Sequence, residues 1–225
     1  MPDTHGGNIF KFSHDHKINL SEVTDFSANI NPLGPSQRGL DALNAQLRYI
    51  SHYPDATNDD VINTIADVYG IEKDSILLGN GAAELIYAVG RLSGFTGAFV
   101  PAPGFSEYQA SMDAANIPVR EIFYRQRQND DGTPYFEVPY LALQTFAAEL
   151  KGQDGRIIVF LGNPNNPDGT LLDKQSIKVL AQMLKDANSL LIIDESFIDF
   201  IGDESLRDNS YSMRELINQY DNVII

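Results

Sequence analysis

From about residue 75 onward, short apolar runs rich in Val, Ile and Leu alternate with segments of helical periodicity. This alternation is typical of βαβ units, because two parallel strands need a crossover that packs back onto the sheet. We therefore predict an α/β fold, a three-layer α/β/α sandwich around a mostly parallel sheet. The predicted strands are SILL (75–78), AFV (98–100), VREIFY (119–124), RIIVFL (156–161), LLIID (190–194) and NVII (222–225).

The segment between the fourth and fifth predicted strands has one apolar helical face. Ile177, Leu180, Ala181 and Leu184 recur at the spacing i, i+3, i+4 and i+7, which predicts a crossover helix. A second helix is predicted over residues 58–70, which show the same spacing and end in glycine.

Residues 1–36 differ from the rest of the chain, since they are rich in Gly, Pro, Asn and Ser and have no sustained period. Their Phe, Ile and Leu content is too high for a flexible linker. We predict an ordered amino-terminal arm or substrate loop at 1–36, followed by one large domain over 37–225.

Composition excludes several classes of function. The formal charge of −15 disfavours nucleic acid or an anionic membrane surface as a partner, because phosphate binding needs a cationic face. The absence of cysteine excludes disulfides, thiolate zinc sites and cysteine nucleophiles. His14 and His16 form an H-x-H pair in a polar stretch, for which a solvated loop is favoured over a metal site. No 18-residue apolar stretch or signal-like amino terminus is present, so we predict a cytoplasmic location.

The stretch LLGNGAAELIYAV combines a strand end with a helix start. Gly79 and Gly81 permit a tight turn, and the amides of the helical turn that Ala82 opens would suit a phosphate. A plain turn with Asn80 as the helix cap is an equal alternative. The stretch lacks the Walker and Rossmann glycine patterns, which disfavours a nucleoside triphosphate or dinucleotide.

The stretch GNPNNPDG follows the apolar run 156–161. Pro164 and Pro167 restrict the residues before them, so Asn163 and Asn166 should present their amides instead of entering a helix. An asparagine fixed in this way can donate to a ligand oxygen. The alternative is a turn in which these side chains only satisfy the backbone.

A carboxylate, Asp194, ends the continuous apolar strand 190–194. Since Asn166 and Asp194 end consecutive strands of one βαβ unit, they should lie at the same edge of the sheet. Phe105 and Tyr108 follow the strand 98–100 and either stack on a planar ring or belong to the core. A ligand with a phosphate, a hydrogen-bonding oxygen and a protonatable ring nitrogen would use all of these loops, and pyridoxal phosphate is such a ligand.

Two sets of motifs carry a family resemblance. Three occur in the order and spacing of the fold-type I pyridoxal phosphate enzymes of the class I/II aminotransferase superfamily: GNGAAE (79–84), NPNNPDG (163–169) and IIDESFIDF (192–200). Within it, four more resemble the CobD-type threonine-phosphate decarboxylases, which are close to histidinol-phosphate aminotransferase: HGGN (5–8), DFSANINPLGP (25–35), YPD (53–55) and PGFSEY (103–108). The resemblance implies a transferase-like large domain that binds pyridoxal 5′-phosphate.

The resemblance also implies roles for the residues at the strand ends. Asp194 would pair with the pyridine nitrogen and keep it protonated, which makes the ring an electron sink. Asn166 would donate to the phenolic oxygen, and Phe105 would stack on the ring, with Tyr108 as the second candidate. The amides expected to hold the cofactor phosphate are those of Gly81, Ala82 and Ala83.

Residues of the first segment are implied at the same site. Tyr53 would reach a cofactor phosphate across a homodimer interface. His5, Gly6 and Asn29, together with Asn166, would contact a small phosphorylated amino-acid substrate.

Two departures from the family pattern matter. Phe197, counted among the cofactor contacts, stands where many aminotransferases carry a tyrosine, and the decarboxylase branch also has phenylalanine there. The lysine that binds the cofactor covalently follows the strand that NVII begins, and no lysine of this chain follows that strand. We therefore expect the Schiff-base lysine beyond residue 225, with the chain an incomplete large domain truncated before the small carboxy-terminal domain.

The resemblance implies decarboxylation of O-phospho-L-threonine to (R)-1-aminopropan-2-ol phosphate in cobalamin biosynthesis. The alternatives are histidinol-phosphate aminotransferase or a related transaminase, and a non-catalytic fragment that binds pyridoxal phosphate. A transaminase would break the Cα–H bond of its substrate, and residues outside this sequence would set that choice.

Overall fold

The computed structural model describes residues 6–150, 155–201 and 210–225. The chain divides into two compact units, Met1–Thr57 and Asn58–Ile225. This division falls later than the limit at residue 36 expected from the sequence, and the assignment of 1–36 to a substrate arm stays a prediction.

The first unit contains two α-helices, α1 (Ile9–His16) and α2 (Gln37–Gln46), and 3-10 turns at Leu20–Glu22 and Leu47–Tyr49. Asn8 begins α1, since its side-chain oxygen accepts from the Lys11 amide at 3.1 Å, and Ser36 caps α2 in the same way. Helix α1 lies in the segment for which no regular structure was expected. None of the residues of either helix is buried within the described part of the chain.

The second unit is built on a five-stranded parallel sheet in the order β2-β1-β5-β6-β7. Its strands are β1 (Phe95–Ala102), β2 (Val119–Phe123), β5 (Arg156–Gly162), β6 (Leu190–Asp194) and β7 (Val223–Ile224). A separate antiparallel hairpin joins β3 (Arg125–Gln128) to β4 (Pro134–Glu137). The helices are α3 (Asp59–Tyr69), α4 (Gly81–Val89), α5 (Ser106–Ala114), α6 (Tyr140–Leu150) and α7 (Lys174–Asp186).

Helices cover both faces of the sheet, so the predicted three-layer α/β/α sandwich is confirmed. Alternate residues of β5 point to opposite faces, as they must in a strand. Ile157, Val159 and Leu161 join the core formed with α6 and α7. Ile158 and Phe160 join the core formed with α4 and α5. Because β5 is buried on both faces, its sequence reads as a continuous apolar run.

The crossover helix α7 is confirmed with the face that its spacing predicted. Ile177, Leu180, Ala181 and Leu184 are each at most 1% exposed. Asp173 begins the helix, and its carboxylate accepts from the Ser176 amide at 2.7 Å. Full burial of each large apolar side chain contributes roughly 1.5–3 kcal/mol.

The prediction of a strand over 75–78 is wrong. Lys73–Ser75 forms a 3-10 turn, the Ile76 amide donates to the Lys73 carbonyl, and the side chain of Leu77 is 75% exposed. An apolar run of this length forms a strand only where a neighbouring strand pairs with it, and no strand of the described residues does so. The five other predicted strands are confirmed.

Candidate functional site

The loops that follow β1, β5 and β6 meet at the carboxyl edge of the sheet. The Tyr108 hydroxyl donates to Asp194 Oδ2 at 2.8 Å, and Asn165 Nδ2 donates to the Pro103 carbonyl at 3.0 Å. The backbone amide of Asn163 donates to the backbone carbonyl of Asp194 at 2.8 Å. The convergence of these loops, predicted from the strand order, is therefore confirmed, and this edge is where ligands of open parallel sheets bind.

Asp194 is held by neutral donors on both carboxylate oxygens. Oδ1 accepts from the Ser196 amide at 2.9 Å and from the Ser196 hydroxyl at 2.6 Å, while Oδ2 accepts from Tyr108. These hydrogen bonds fix the orientation of the carboxylate. The side chain is half-buried at the strand end, so a fixed negative charge faces the loops around it.

Tyr108 lies in the core and acts as a donor toward Asp194. Its ring is 2% exposed and stacks on Phe160 with the centroids 5.1 Å apart. Burial, followed by the negative charge of Asp194, raises the pKa of the Tyr108 hydroxyl far above 10, so the phenol stays protonated. Phe105 packs edge-on against Tyr108, with the centroids 5.6 Å apart, and is half-buried. Phe105 is the more exposed of these two rings, and its stacking on a bound ring stays a prediction.

The loop after β5 is braced from within. The Asn165 amide donates to the Thr170 carbonyl, and the Gly169 amide donates to the Asn165 carbonyl, both at 2.8 Å. Asn165 Nδ2 also donates to Asp168 Oδ1 at 2.7 Å. Gly162 is required just before the turn, because a Cβ there would lie 2.8 Å from the Asn165 Cα. The loop is therefore a closed turn with little freedom of its own.

The asparagines of this loop have different positions. Asn163 is fully buried, and all of its side-chain polar atoms are used: Nδ2 donates to Glu195 Oε1 and to the Tyr211 carbonyl, each at 3.0 Å, and Oδ1 accepts from the Leu172 amide at 3.1 Å. The expectation that Asn163 presents its amide to a ligand is wrong, and the structural alternative holds. Asn166 is half-buried at the tip of the turn and remains the proposed ligand donor.

Sequence reasoning missed Glu195, Ser196 and the Asn163 side chain as organisers of the site. A serine two residues after an aspartate is a signal for an Asx-type turn, so the bond from Ser196 to Asp194 could have been found. The partners of Glu195 are at least 17 residues away from it in the sequence. No local sequence pattern indicates them.

The start of α4 is accessible, as an anion site requires. Gly81 has a φ of 79°, which favours glycine, and Gly81, Ala82 and Ala83 are all exposed. Asn80 precedes the helix without a side-chain capping bond. Instead, its backbone amide and its Nδ2 both donate to Glu84 Oε2, so capping by the Asn80 side chain, part of the alternative for this stretch, does not occur.

Four predicted site residues belong to the first unit, and the structure describes three of them. Gly6 packs against the Ser27 backbone, and a Cβ there would lie 1.8 Å from the Ser27 carbonyl oxygen. Asn29 is exposed two residues further on, and the Tyr53 side chain is fully exposed. His5 lies outside the described residues.

Phe197 is half-buried after β6, with its ring 6.5 Å from that of Phe200. The lysines of α7 are engaged elsewhere, since Lys178 pairs with Glu215 at 2.8 Å and Lys185 pairs with Asp221 at 2.9 Å. These pairs join α7 to the segment before β7.

Within residues 6–150, 155–201 and 210–225 there is no group of three His, Asp or Glu side chains that could hold a metal ion. No helix in the same ranges is both long and apolar enough to cross a membrane.

The fold and the strand-end site define the class of protein. A parallel sheet with an aspartate held at one strand end and aromatic residues packed beside it agrees with the resemblance to the transferase-like pyridoxal phosphate enzymes. The model of the aminotransferase class I and II family matches residues 21–225, and the chain belongs to this family. The predicted superfamily is thus confirmed, and pyridoxal 5′-phosphate, the cofactor predicted from the sequence, is the cofactor of this family.

Relatives within the family carry two kinds of name. The chain is 35% identical to the adenosylcobalamin biosynthesis bifunctional protein CobDQ of Leptospira interrogans over 93% of its length and 23% of that protein. It is 32% identical to the threonine-phosphate decarboxylase of Salmonella typhimurium, over 92% of this chain and 55% of the enzyme. The histidinol-phosphate aminotransferase structure of Clostridium acetobutylicum matches with a TM-score of 0.71 at 25% identity, over 89% of this chain and 54% of that one. The chain spans about half the length, or less, of these proteins.

The residues at the strand ends fit pyridoxal phosphate. The fixed carboxylate of Asp194 suits a cationic ring nitrogen, Phe105 is a partly exposed aromatic ring, and the residues at the start of α4 are exposed, as a phosphate site needs. These are groups of the kinds that the cofactor's ring and phosphate need.

Proposed function

We propose that the full-length gene product containing this chain is a pyridoxal phosphate-dependent carboxy-lyase. It would convert O-phospho-L-threonine to (R)-1-aminopropan-2-ol phosphate, a step of cobalamin biosynthesis. The observation that carries the proposal is the 32% identity to a threonine-phosphate decarboxylase over 92% of the chain. The name of the Leptospira relative supports the same pathway.

Residues of the second unit would hold the cofactor. Asp194 would keep a proton on the ring nitrogen, and its orientation by Tyr108 and Ser196 supports this role. Asn166 would donate to the phenolic oxygen, and Phe105 would cover one face of the ring and exclude water from it. Pyridoxal phosphate, when bound, supplies an electron sink for the bond that breaks at the substrate α-carbon.

The cofactor phosphate would bind at the start of α4, to the amides of Gly81, Ala82 and Ala83. Glu84 accepts from the backbone amide and the side chain of Asn80, before the helix, so its carboxylate does not occupy the amides of Ala82 and Ala83. The Gly81 amide donates to the Gly79 carbonyl at 2.9 Å and would exchange this bond for one to the phosphate. Phe197 brings no hydroxyl to the phenolic oxygen, so Asn166 would be its donor from this part of the chain.

The substrate side and the subunit partner are further parts of the proposal. His5, Gly6 and Asn29 would contact the phosphorylated amino acid, and Tyr53 would reach the cofactor phosphate of the second subunit of a homodimer. The complete exposure of the Tyr53 side chain within its unit agrees with a role toward another surface. A cytoplasmic location and a Schiff-base lysine beyond residue 225 complete the proposal.

A histidinol-phosphate aminotransferase activity is the second candidate. It is favoured by the structural match to the Clostridium enzyme at a TM-score of 0.71. The two reactions share the cofactor and differ in which bond of the substrate α-carbon breaks.

Two parallel incubations of the full-length gene product with pyridoxal phosphate separate these reactions. The first contains O-phospho-L-threonine without a keto acid, and carbon dioxide and aminopropanol phosphate are measured. The second contains L-histidinol phosphate with 2-oxoglutarate, and glutamate is measured. An Asp194→Asn variant serves as the control for turnover by other proteins in the preparation.

We expect carbon dioxide and aminopropanol phosphate in equal amounts from the first incubation and no glutamate from the second. Glutamate without carbon dioxide would replace the decarboxylase by the transaminase. Bound cofactor with neither product would favour the non-catalytic fragment.

A further inference from the structure

Glu195, the residue after Asp194, joins three segments of the second unit. Its Oε1 accepts from Asn163 Nδ2 at 3.0 Å and from the Met213 amide at 2.6 Å. Its Oε2 accepts from the Ser212 hydroxyl at 2.6 Å. The carboxylate therefore ties the loop after β5 and the segment before β7 to the end of β6.

The residues around this carboxylate are withdrawn from solvent. Asn163 is 0%, Met213 1% and Ser212 4% exposed. A carboxylate bonded to buried donors cannot be removed without leaving those donors unsatisfied. The three groups that donate to Glu195 are neutral. Hydrogen bonds, and not an ion pair with one of these donors, therefore hold the cluster together.

The cluster fixes the loop that carries Asn166. That loop is a closed turn, so it moves as one body, and its side chains attach it to its surroundings at several points. Asn165 donates to the Pro103 carbonyl, Thr170 to the Phe136 carbonyl, and Asn163 to both the Tyr211 carbonyl and Glu195. The bond to Glu195 is the side-chain bond among these that leads to the end of β6, next to Asp194, so its loss loosens the loop relative to Asp194.

We propose that Glu195 is a positioning residue of the cofactor site, which sets the distance between Asp194 and Asn166 through Asn163. Glu195 itself does not touch the cofactor in this account. The inference rests on the proposed cofactor site, and it assigns to Glu195 a role that depends on its hydrogen bonds.

Three variants of the full-length gene product separate positioning from simple stability. Glu195→Ala removes all of the bonds. Glu195→Gln keeps them, because its oxygen can accept from Asn163 and Met213 while its amide donates to the Ser212 hydroxyl. Ser212→Ala removes one of the bonds to Glu195, together with the acceptor of the Arg214 amide at 3.2 Å. It is the variant that decides if Glu195→Ala does not fold.

The dissociation constant of pyridoxal phosphate and the visible circular dichroism of the bound cofactor are measured for each protein. We expect Glu195→Ala to raise the dissociation constant roughly tenfold, as losses of outer-shell partners do at metal sites, and to change the dichroism. Glu195→Gln should stay within about twofold of the wild type, and Ser212→Ala should show about a threefold rise. Glu215→Ala, which changes an exposed glutamate paired with Lys178, is the matched control and should leave both readouts unchanged.

Each outcome decides the matter. A merely structural role would lower the unfolding free energy of Glu195→Ala but leave the affinity and dichroism of the folded protein at wild-type values, and this would overturn the proposal. An equal rise of the dissociation constant in Glu195→Gln and Glu195→Ala would also overturn the proposal, because it would show that the charge of Glu195 matters and not its hydrogen bonds. If Glu195→Ala does not fold, a wild-type dissociation constant for Ser212→Ala would overturn it. Failure of the wild-type protein to bind the cofactor would instead refute the proposed function, so the two failures are distinguishable.

Discussion

Replacing Tyr108 with phenylalanine tests the role of this residue as the donor to Asp194. The substitution removes the hydroxyl 2.8 Å from Asp194 Oδ2 and leaves the ring that stacks on Phe160. A hydrogen bond to a charged group contributes about 1.5–3 kcal/mol. Asp194 is half-buried, so water can partly replace the hydroxyl, and we expect a loss near the lower end, about 1.5 kcal/mol.

The pH dependence of this loss follows from the raised pKa of Tyr108. Folding keeps the phenol protonated, whereas in the unfolded chain it ionises near the ordinary value of 10.0. Above pH 10 the unfolded state binds fewer protons than the folded state, so the wild-type protein loses stability as pH rises. The slope of the wild-type unfolding free energy approaches a decrease of about 1.4 kcal/mol per pH unit. Tyr108→Phe has no phenol at this position and does not show this decrease. The stability difference should therefore vanish about one pH unit above 10.

The assay is urea unfolding of the cofactor-free protein at pH 8 and at pH 11. With a slope of about 3 kcal/mol per molar urea, the loss at pH 8 corresponds to a midpoint shift of about 0.5 M. Tyr87→Phe, which removes an exposed hydroxyl that donates to Glu107 at 3.1 Å, is the control and should not move the midpoint measurably. Equal stability of Tyr108→Phe and wild type at pH 8 would show that the bond from Tyr108 to Asp194 does not stabilise the fold. A difference in stability that persists unchanged at pH 11 would contradict the raised pKa of Tyr108.

Two further substitutions test the elements that support the site. Asp173→Ala removes the cap of α7 and should cost about 1 kcal/mol at neutral pH in urea unfolding. Hydrogen bonds from Ser176 lower the pKa of Asp173 below 3.8, so this contribution is present above pH 3.8 and is lost as pH falls through the folded value; a cost that stays constant down to pH 2 contradicts the assignment. Gly162→Ala puts a methyl group 2.8 Å from the Asn165 Cα and should destabilise by about 1–3 kcal/mol. The control Gly39→Ala meets no atom closer than 3.8 Å within a helix and should be neutral or stabilising, so equal effects of the two would contradict the close approach.

The sheet and its main crossover could be predicted because their signals are local. The run LLIID gave the bounds of β6, and the four apolar residues of α7 gave its buried face. In both cases the pattern of apolar residues along the chain predicts the burial that stabilises the element.

The errors arise where partners are distant or missing. The run 75–78 has strand composition, but pairing decides strand formation, and the exposed Leu77 shows that the run lacks it. No strand was predicted for the hairpin of β3 and β4, because Arg125–Gln128 is exposed throughout and has no apolar alternation. Its register is supported by the pair of Arg127 and Glu137, at 2.8 Å.

The candidate site divides in the same way. The loops that end β1, β5 and β6 could be brought together from strand order alone, with Asp194 and Asn166 among their residues. The burial of Asn163, the partners of Glu195 and the bond from Tyr108 depend on contacts across 17 to 86 residues of sequence. Such contacts leave no periodic trace in the sequence, so Tyr108 was expected as a stacking ring or a core residue and not as a donor to Asp194.

The pairing of Asp194 with the ring nitrogen is tested by the affinity of the full-length gene product for pyridoxal phosphate. This affinity is measured with and without the Asp194 charge. Asp194→Asn keeps the shape of the side chain and its position beside Tyr108 and Ser196. If Asp194 pairs with the cationic ring nitrogen, the dissociation constant should rise roughly a hundredfold, as for other lost partners of buried charges. A dissociation constant equal to that of the wild type would contradict the account.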